Sequence, residues 1–158
     1  MVLPVAARIT ACNANPPLRR KQAMTDILGS PLREQKLAPA GSNLVLAEWT
    51  AAGAPDGEPQ YQAPVHLHHD DDEAWYVLEG RLRVRIGDAD FDVPAGSAVI
   101  GPHGKPHTFW NPDPAPARYV IVMSARTSMM LDALHGGGNR SAAELSELFA
   151  AYGCELLG

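Results

Sequence analysis

The chain has 158 residues, 46% of them hydrophobic, and a formal net charge of −5 at pH 7. That length suits one domain with a sizeable core. The acidic balance, with no long basic stripe, gives no footprint for nucleic acid, and no apolar run is long enough to span a bilayer. Taking the chain in order, residues 1–23 carry Arg8, Arg19, Arg20 and Lys21 with no acid and no sustained apolar stretch. They read as a transit-like or disordered extension, not a secretory signal. Met24 is an alternative native start, and residues 1–32 are expected to form a partly disordered N-terminal arm. Cys12 and Cys154 stand near opposite ends in no CxxC pair and read as free thiols, which with the lack of a signal suggests a cytoplasmic protein.

Residues 43–50 (NLVLAEWT) give the first convincing strand, and the Gly- and Pro-rich residues 51–64 read as a loop. The stretch PVHLHHDDDEAWYVLEG, Pro64 to Gly80, comes next. His66 and His68 are two apart, so on a strand their imidazoles share one face, while His69 faces away. Asp70, Asp71 and Asp72 read as a solvated turn. A hairpin folded there would return the Glu73 carboxylate to the two imidazoles. Two neutral nitrogens and an anionic oxygen on one side of a point suit a first-row metal with open positions. Hydrogen-bonded structural histidines beside a solvated loop fit the same stretch.

RLRVRI (81–86) is a clean alternating strand whose Arg81, Arg83 and Arg85 form a solvated face. Gly87-Asp88 is a turn, ADFDV (89–93) a short strand, Pro94-Ala95-Gly96 a further turn and SAVIG another strand. Pro102, Gly104 and Pro106 force an irregular approach to a strand that begins at His107. Residues 117–124 (ARYVIVMS) are the last strong strand. In the C-terminus Ser141 and Glu144 match a capping box, Leu145, Leu148, Phe149 and Tyr152 recur at helical spacing, and Gly153 sits at the C-cap position. An amphipathic helix on the barrel is expected there, with no chemistry in it. Trp75, Val77 and Phe109 are candidates to line a pocket. Tyr76 and Tyr119 could donate protons, and His103 and Lys105 fall near the expected mouth. Trp49, Tyr76, Leu78 and Trp110 should point outward, more apolar surface than a monomer exposes, which predicts a homodimer.

Two of these stretches resemble the paired motifs of the cupin superfamily, G-x5-HxH-x3–4-E-x6-G and G-x5-PxG-x2-H-x3-N. His66, His68, Glu73 and Gly80 match the first; Gly96, Pro102, Gly104, His107 and Asn111 match the second. Gln60 stands where the first motif has its leading glycine, a departure that touches a turn and no ligand. The resemblance covers roughly residues 43–124, and its HxH-x4-E spacing is similar to cupins of the quercetin-dioxygenase-like kind. It implies an all-β, antiparallel jelly-roll barrel over residues 33–128, with residues 129–158 as a helical extension. It also implies one divalent metal ion, Fe(II), Mn(II), Ni(II) or Zn(II), held by His66, His68, Glu73 and His107. The function implied is a metal-dependent oxygenase acting on a small organic molecule, with Glu73 also able to act as general base. A redox-neutral isomerase, epimerase or decarboxylase and a non-catalytic binding cupin remain open, since fold does not choose among them.

Overall fold

The structure, a computed structural model, describes residues 27, 29, 31–54 and 58–157. Most of the N-terminal arm, with Cys12 and Met24, lies outside the described residues. The strands are β1 (Lys36–Leu37), β2 (Leu44–Ala51), β3 (His66–His68), β4 (Glu73–Glu79), β5 (Arg81–Ile86), β6 (Ala89–Pro94), β7 (Ala98–Gly101), β8 (His107–Trp110), β9 (Ala117–Ser124) and β10 (Cys154–Leu156). Two helices, α1 (Ala125–Gly136) and α2 (Ala142–Ala151), lie between β9 and β10. The strands form two five-stranded antiparallel sheets, ordered β1-β2-β9-β4-β7 and β10-β3-β8-β5-β6. Apart from the β1-β2 and β5-β6 pairs, successive strands switch between the sheets, as in a jelly-roll barrel.

Period-two burial builds the core. Along β9 Ala117, Tyr119, Ile121 and Met123 are buried, and the residues between them are half-buried. They meet Trp75 and Val77 of β4, Leu82 and Val84 of β5, and Phe109 of β8 in one cluster between the sheets. Gly80 shows why the first motif ends on glycine. Its φ is +74°, and a Cβ there would lie 3.0 Å from the Ala117 Cα. Only a residue without a side chain turns the chain so tightly against β9. Asn111, which closes the second motif, is buried and acts on backbone: its Nδ2 donates to the carbonyls of Ala51 and Ala115, and its Oδ1 accepts from Asp113 N.

Several expectations are corrected. β3 and β4 are not a hairpin. They belong to different sheets, and Asp70–Asp72 carries the chain across the barrel. Trp49 does not point outward: it pairs with Tyr119 in register and joins that residue's inner face. In LVLAEWT, Leu44, Val45 and Leu46 are all apolar, so the pattern did not fix which parity faces in. Glu48 takes the outer position, with Arg118 Nε 3.2 Å away. Trp110 does point outward, yet it is buried under Tyr61 and the Arg85 guanidinium, 5.5 Å from the ring centre. Tyr76 is exposed and Leu78 half-buried, as expected.

The C-terminus holds more than the expected helix. The capping box forms at α2 and Gly153 adopts a φ of +71° beyond its end. But α1 precedes α2, and β10 follows it and pairs with β3, the strand that carries His66 and His68. Among the described residues no helix is long and apolar enough to cross a membrane.

Candidate metal centre

His66 and His68 enter from β3, His107 from the start of β8, and Glu73 from the start of β4 in the facing sheet. Cross-strand pairing of His66 with His107 brings the two motifs together. All four residues are buried, and one ligand atom from each lies within 4.8 Å of the others. His66 Nε2 is 3.2 Å from His68 Nε2; Glu73 Oε2 is 3.4 Å from His107 Nε2 and 3.8 Å from His68 Nε2.

The partners of the outer ring nitrogens fix how the inner ones point. His66 Nδ1–H donates to the Pro64 carbonyl at 2.7 Å and His107 Nδ1–H to the Lys105 carbonyl at 2.9 Å. Each therefore presents a bare Nε2 lone pair to the centre. His68 has a different partner. Its Nδ1 lies 3.0 Å from Cys154 Sγ and 3.4 Å from Thr127 Oγ1. The Cys154 thiol donates to the Tyr152 carbonyl, which leaves a sulfur lone pair facing the ring, so His68 carries its proton on Nδ1. Burial pushes that thiol up to about 12, so it stays protonated. Cys154 is a free thiol, as the sequence suggests, and β10 sets it directly opposite His68.

Electrostatics favour a cation here. Burial, with the neighbouring His107, lowers His66 to about 4 and keeps it neutral, the form that ligates. Burial alone would push the Glu73 carboxyl up; it is held down, at about 2, where His107 and His68 turn an Nε2–H toward it, and a cation takes over that role when both rings carry their protons on Nδ1. His107 Nε2 is buried with no hydrogen-bond partner among the described residues. Three lone pairs and a carboxylate converge on one buried point that lacks protons to satisfy them. That donor set fits a divalent cation.

A cavity of about 310 Å³ leads to this point. His66 and Glu73 form its floor; Trp49, Phe109, Tyr119, Ile121, Met130 and Phe149 are among its walls. Glu34, Thr50, Gln62 and His135, all exposed, form the mouth. Of the three residues expected to line a pocket, Phe109 does so. Trp75 and Val77 are fully buried in the core, where Trp75 meets His107 edge-on at 5.8 Å. Met130 and Phe149 come from the extension read as chemically silent; Phe149 lies edge-on to His66 at 5.5 Å. The Tyr119 hydroxyl has no hydrogen-bond partner among the described residues, and Tyr119 is 3% exposed. His103 pairs with Asp72 at 2.8 Å on the exposed rim, Lys105 contributes only its carbonyl, and Tyr76 lies on the opposite face of its sheet.

A jelly-roll barrel with three imidazoles and a carboxylate gathered inside it defines the class: a β-barrel with an interior site able to hold a metal ion. The family model for the cupin domain matches residues 57–123, the stretch that carries both motifs, and that stretch is a cupin domain. No curated protein sequence matches it. Among solved structures it is similar to TT1209 from Thermus thermophilus, at 25% identity over 64% of this chain and 92% of that one, TM-score 0.47. A Cupin 2 conserved barrel domain protein from Salinispora arenicola is 18% identical over 74% of this chain and 82% of that one, TM-score 0.46. A putative sugar phosphate isomerase from Acidithiobacillus ferrooxidans is 19% identical over 54% of this chain and 52% of that one, TM-score 0.46.

Proposed function

We propose that this cupin is a mononuclear metal-dependent enzyme, an oxygenase of the dioxygenase type that acts on a small organic molecule presenting two oxygen donors. The observation that carries the reading is the cavity, whose floor is His66 and Glu73 and whose walls are apolar. His66, His68, Glu73 and His107 would hold the ion, which when bound would acidify a coordinated substrate hydroxyl and supply open positions for oxygen ligands. The chain's own residues supply the rest. The Pro64 and Lys105 carbonyls keep the His66 and His107 protons on Nδ1, and the Cys154 sulfur does so for His68. Glu73, held ionised and facing the cavity, accepts the substrate proton at a carboxylate oxygen. Trp49, Phe109, Ile121 and Phe149 keep water from the reacting carbon.

Glu73→Gln tests the role of that carboxylate. The amide keeps a carbonyl oxygen in place but cannot take the proton. After metal content is matched to the parent, turnover should fall by about 10²–10⁴, the range of a general base. Dioxygen uptake with chelating substrates is the readout. Parent-like turnover in the metal-replete variant leaves Glu73 a ligand only, and turnover without dioxygen uptake replaces the oxygenase with redox-neutral chemistry.

A further inference from the structure

The cavity has a second polar end at its mouth, and like the floor it carries a carboxylate. At the mouth Glu34 sits on a strained turn: Arg33 and Glu34 are successive non-glycine residues with φ of +28° and +59°. Such left-handed pairs persist only where the surroundings hold them, and they concentrate at ligand clamps. Here the hold is visible. The Gln35 carbonyl accepts from Glu48 N, β1 begins at Lys36, and Thr50 Oγ1 donates to Glu34 Oε1 at 2.6 Å. Arg33, the adjacent cation, is exposed and outside the cavity lining, and Lys36 is committed to Asp132 and Ser128. Among the described residues the cavity lining contains no Lys or Arg. Its polar side chains are His66 and Glu73 at the floor, Tyr119 between, and Glu34, Thr50, Gln62 and His135 at the mouth. Burial holds the Tyr119 hydroxyl protonated above the ordinary tyrosine range, with the Glu34 and Glu73 carboxylates adding to the effect, so it faces the cavity as a donor.

We infer that this cavity is a two-ended site whose ligand carries oxygen donors at the metal end, an apolar or aromatic body, and a hydroxyl or ammonium group that Glu34 receives at the mouth. The inference rests on the metal-centred reading above and narrows its substrate class. A tail bearing a carboxylate or phosphate meets the Glu34 carboxylate with no cation in the lining to offset it. A neutral hydroxyl or an ammonium finds an acceptor already fixed by Thr50.

The test is a series with one chelating head and three tails: 4-ethylcatechol, 4-(2-aminoethyl)catechol and 3,4-dihydroxyphenylacetate. Each is titrated calorimetrically into the full chain loaded with Zn²⁺, and into the Glu34→Gln variant loaded the same way. Attraction of the ammonium and repulsion of the carboxylate at a partly exposed charge should separate those two dissociation constants by about five- to thirtyfold. The neutral tail should fall between them. Glu34→Gln, which keeps the side-chain shape and an oxygen for Thr50, should bring all three within about twofold. Binding of all three with no tail preference, or a preference that survives Glu34→Gln, overturns the two-ended site and leaves the metal-centred reading intact. Failure of every tail to bind the Zn²⁺-loaded protein overturns that reading, and this inference with it.

Discussion

Replacing Cys154 by alanine removes a group that lies outside the ligand set, yet the structure predicts a loss of metal affinity. His68 is fully buried, and its Nδ1–H has two partners, Cys154 Sγ at 3.0 Å and the more distant Thr127 Oγ1 at 3.4 Å. Loss of a hydrogen bond that orients a ligating imidazole typically costs about 10–100-fold in affinity. Thiol sulfur is a weak acceptor, and Thr127 remains to take part of its place, so Cys154→Ala should fall near the low end, about tenfold. Cys154→Ala with Thr127→Val leaves the proton unpaired and should approach about 100-fold, more than either change alone implies, because both act on one ring. Cys154→Ser restores an acceptor and should recover most of the loss. The assay is competition for Zn²⁺ against a chromophoric chelator, paired with the visible spectrum of the Co²⁺-loaded protein, which reports the ligand field directly. Thermal melts of the metal-free variants separate a loosened ring from a loosened fold, since Cys154 also packs against Met130 and Phe149. Parental Zn²⁺ affinity and an unchanged Co²⁺ spectrum in Cys154→Ala would refute the argument.

Three further outcomes follow. His66→Ala or His107→Ala should drop metal content from about one ion per chain to a small fraction by elemental analysis, because the ligands act together; full occupancy in both would remove the assignment. The metal-free protein should lose stability as pH falls from about 6.5 to about 4: His66 is held neutral down to about 4 when folded but takes its proton near 6.5 when unfolded, so acid favours the unfolded chain, by roughly 3 kcal/mol from this group in chemical denaturation. We also expect a homodimer, because Leu46, Val122, Ala74 and Ile100 lie in one cross-strand row on the outer face of their sheet, with Ile100 62% and Tyr76 45% exposed; a monomer mass by light scattering across a wide concentration range would count against it.

The parts of this site that the sequence showed are those whose spacing is set by local geometry. His66 and His68 share a face because strand side chains alternate, and His107 follows a turn that Gly104 enters at a φ of +68°. The hairpin reading of Asp70–Asp72 failed because a short turn between strands of one sheet and a short crossing between two sheets have the same composition. Either way Glu73 reaches the imidazoles. Cys154 was out of reach for a different cause. It stands on a three-residue strand, too short to show a period, and its contact with His68 spans 86 positions. Helix α1 was missed as well: Thr127, Ser128 and Met130 are its buried residues, so its inner face is mostly polar and leaves no apolar stripe to read. Glu34 gave no signal at all, because its meaning lies in a backbone angle and a cavity.

These differences have a common origin in where the chain places its two kinds of function. The motif residues lie in the barrel proper, on strands and turns fixed by their own alternation and glycine geometry, and they define a site that fits a cation. What distinguishes one such site from another must come from elements the motifs do not specify. Here the C-terminal segment supplies them: Met130 and Phe149 for the wall, and Cys154 for the third imidazole. The segment is held by more than packing, since Arg126 binds Asp71 and Asp70 in the crossing beside Glu73, and β10 pairs with His66 and His68 through backbone hydrogen bonds. A disturbance in α1, α2 or β10 is therefore transmitted to the ligands themselves, and substitutions there should alter ligand preference and metal affinity together, a coupling that the barrel motifs alone would not produce.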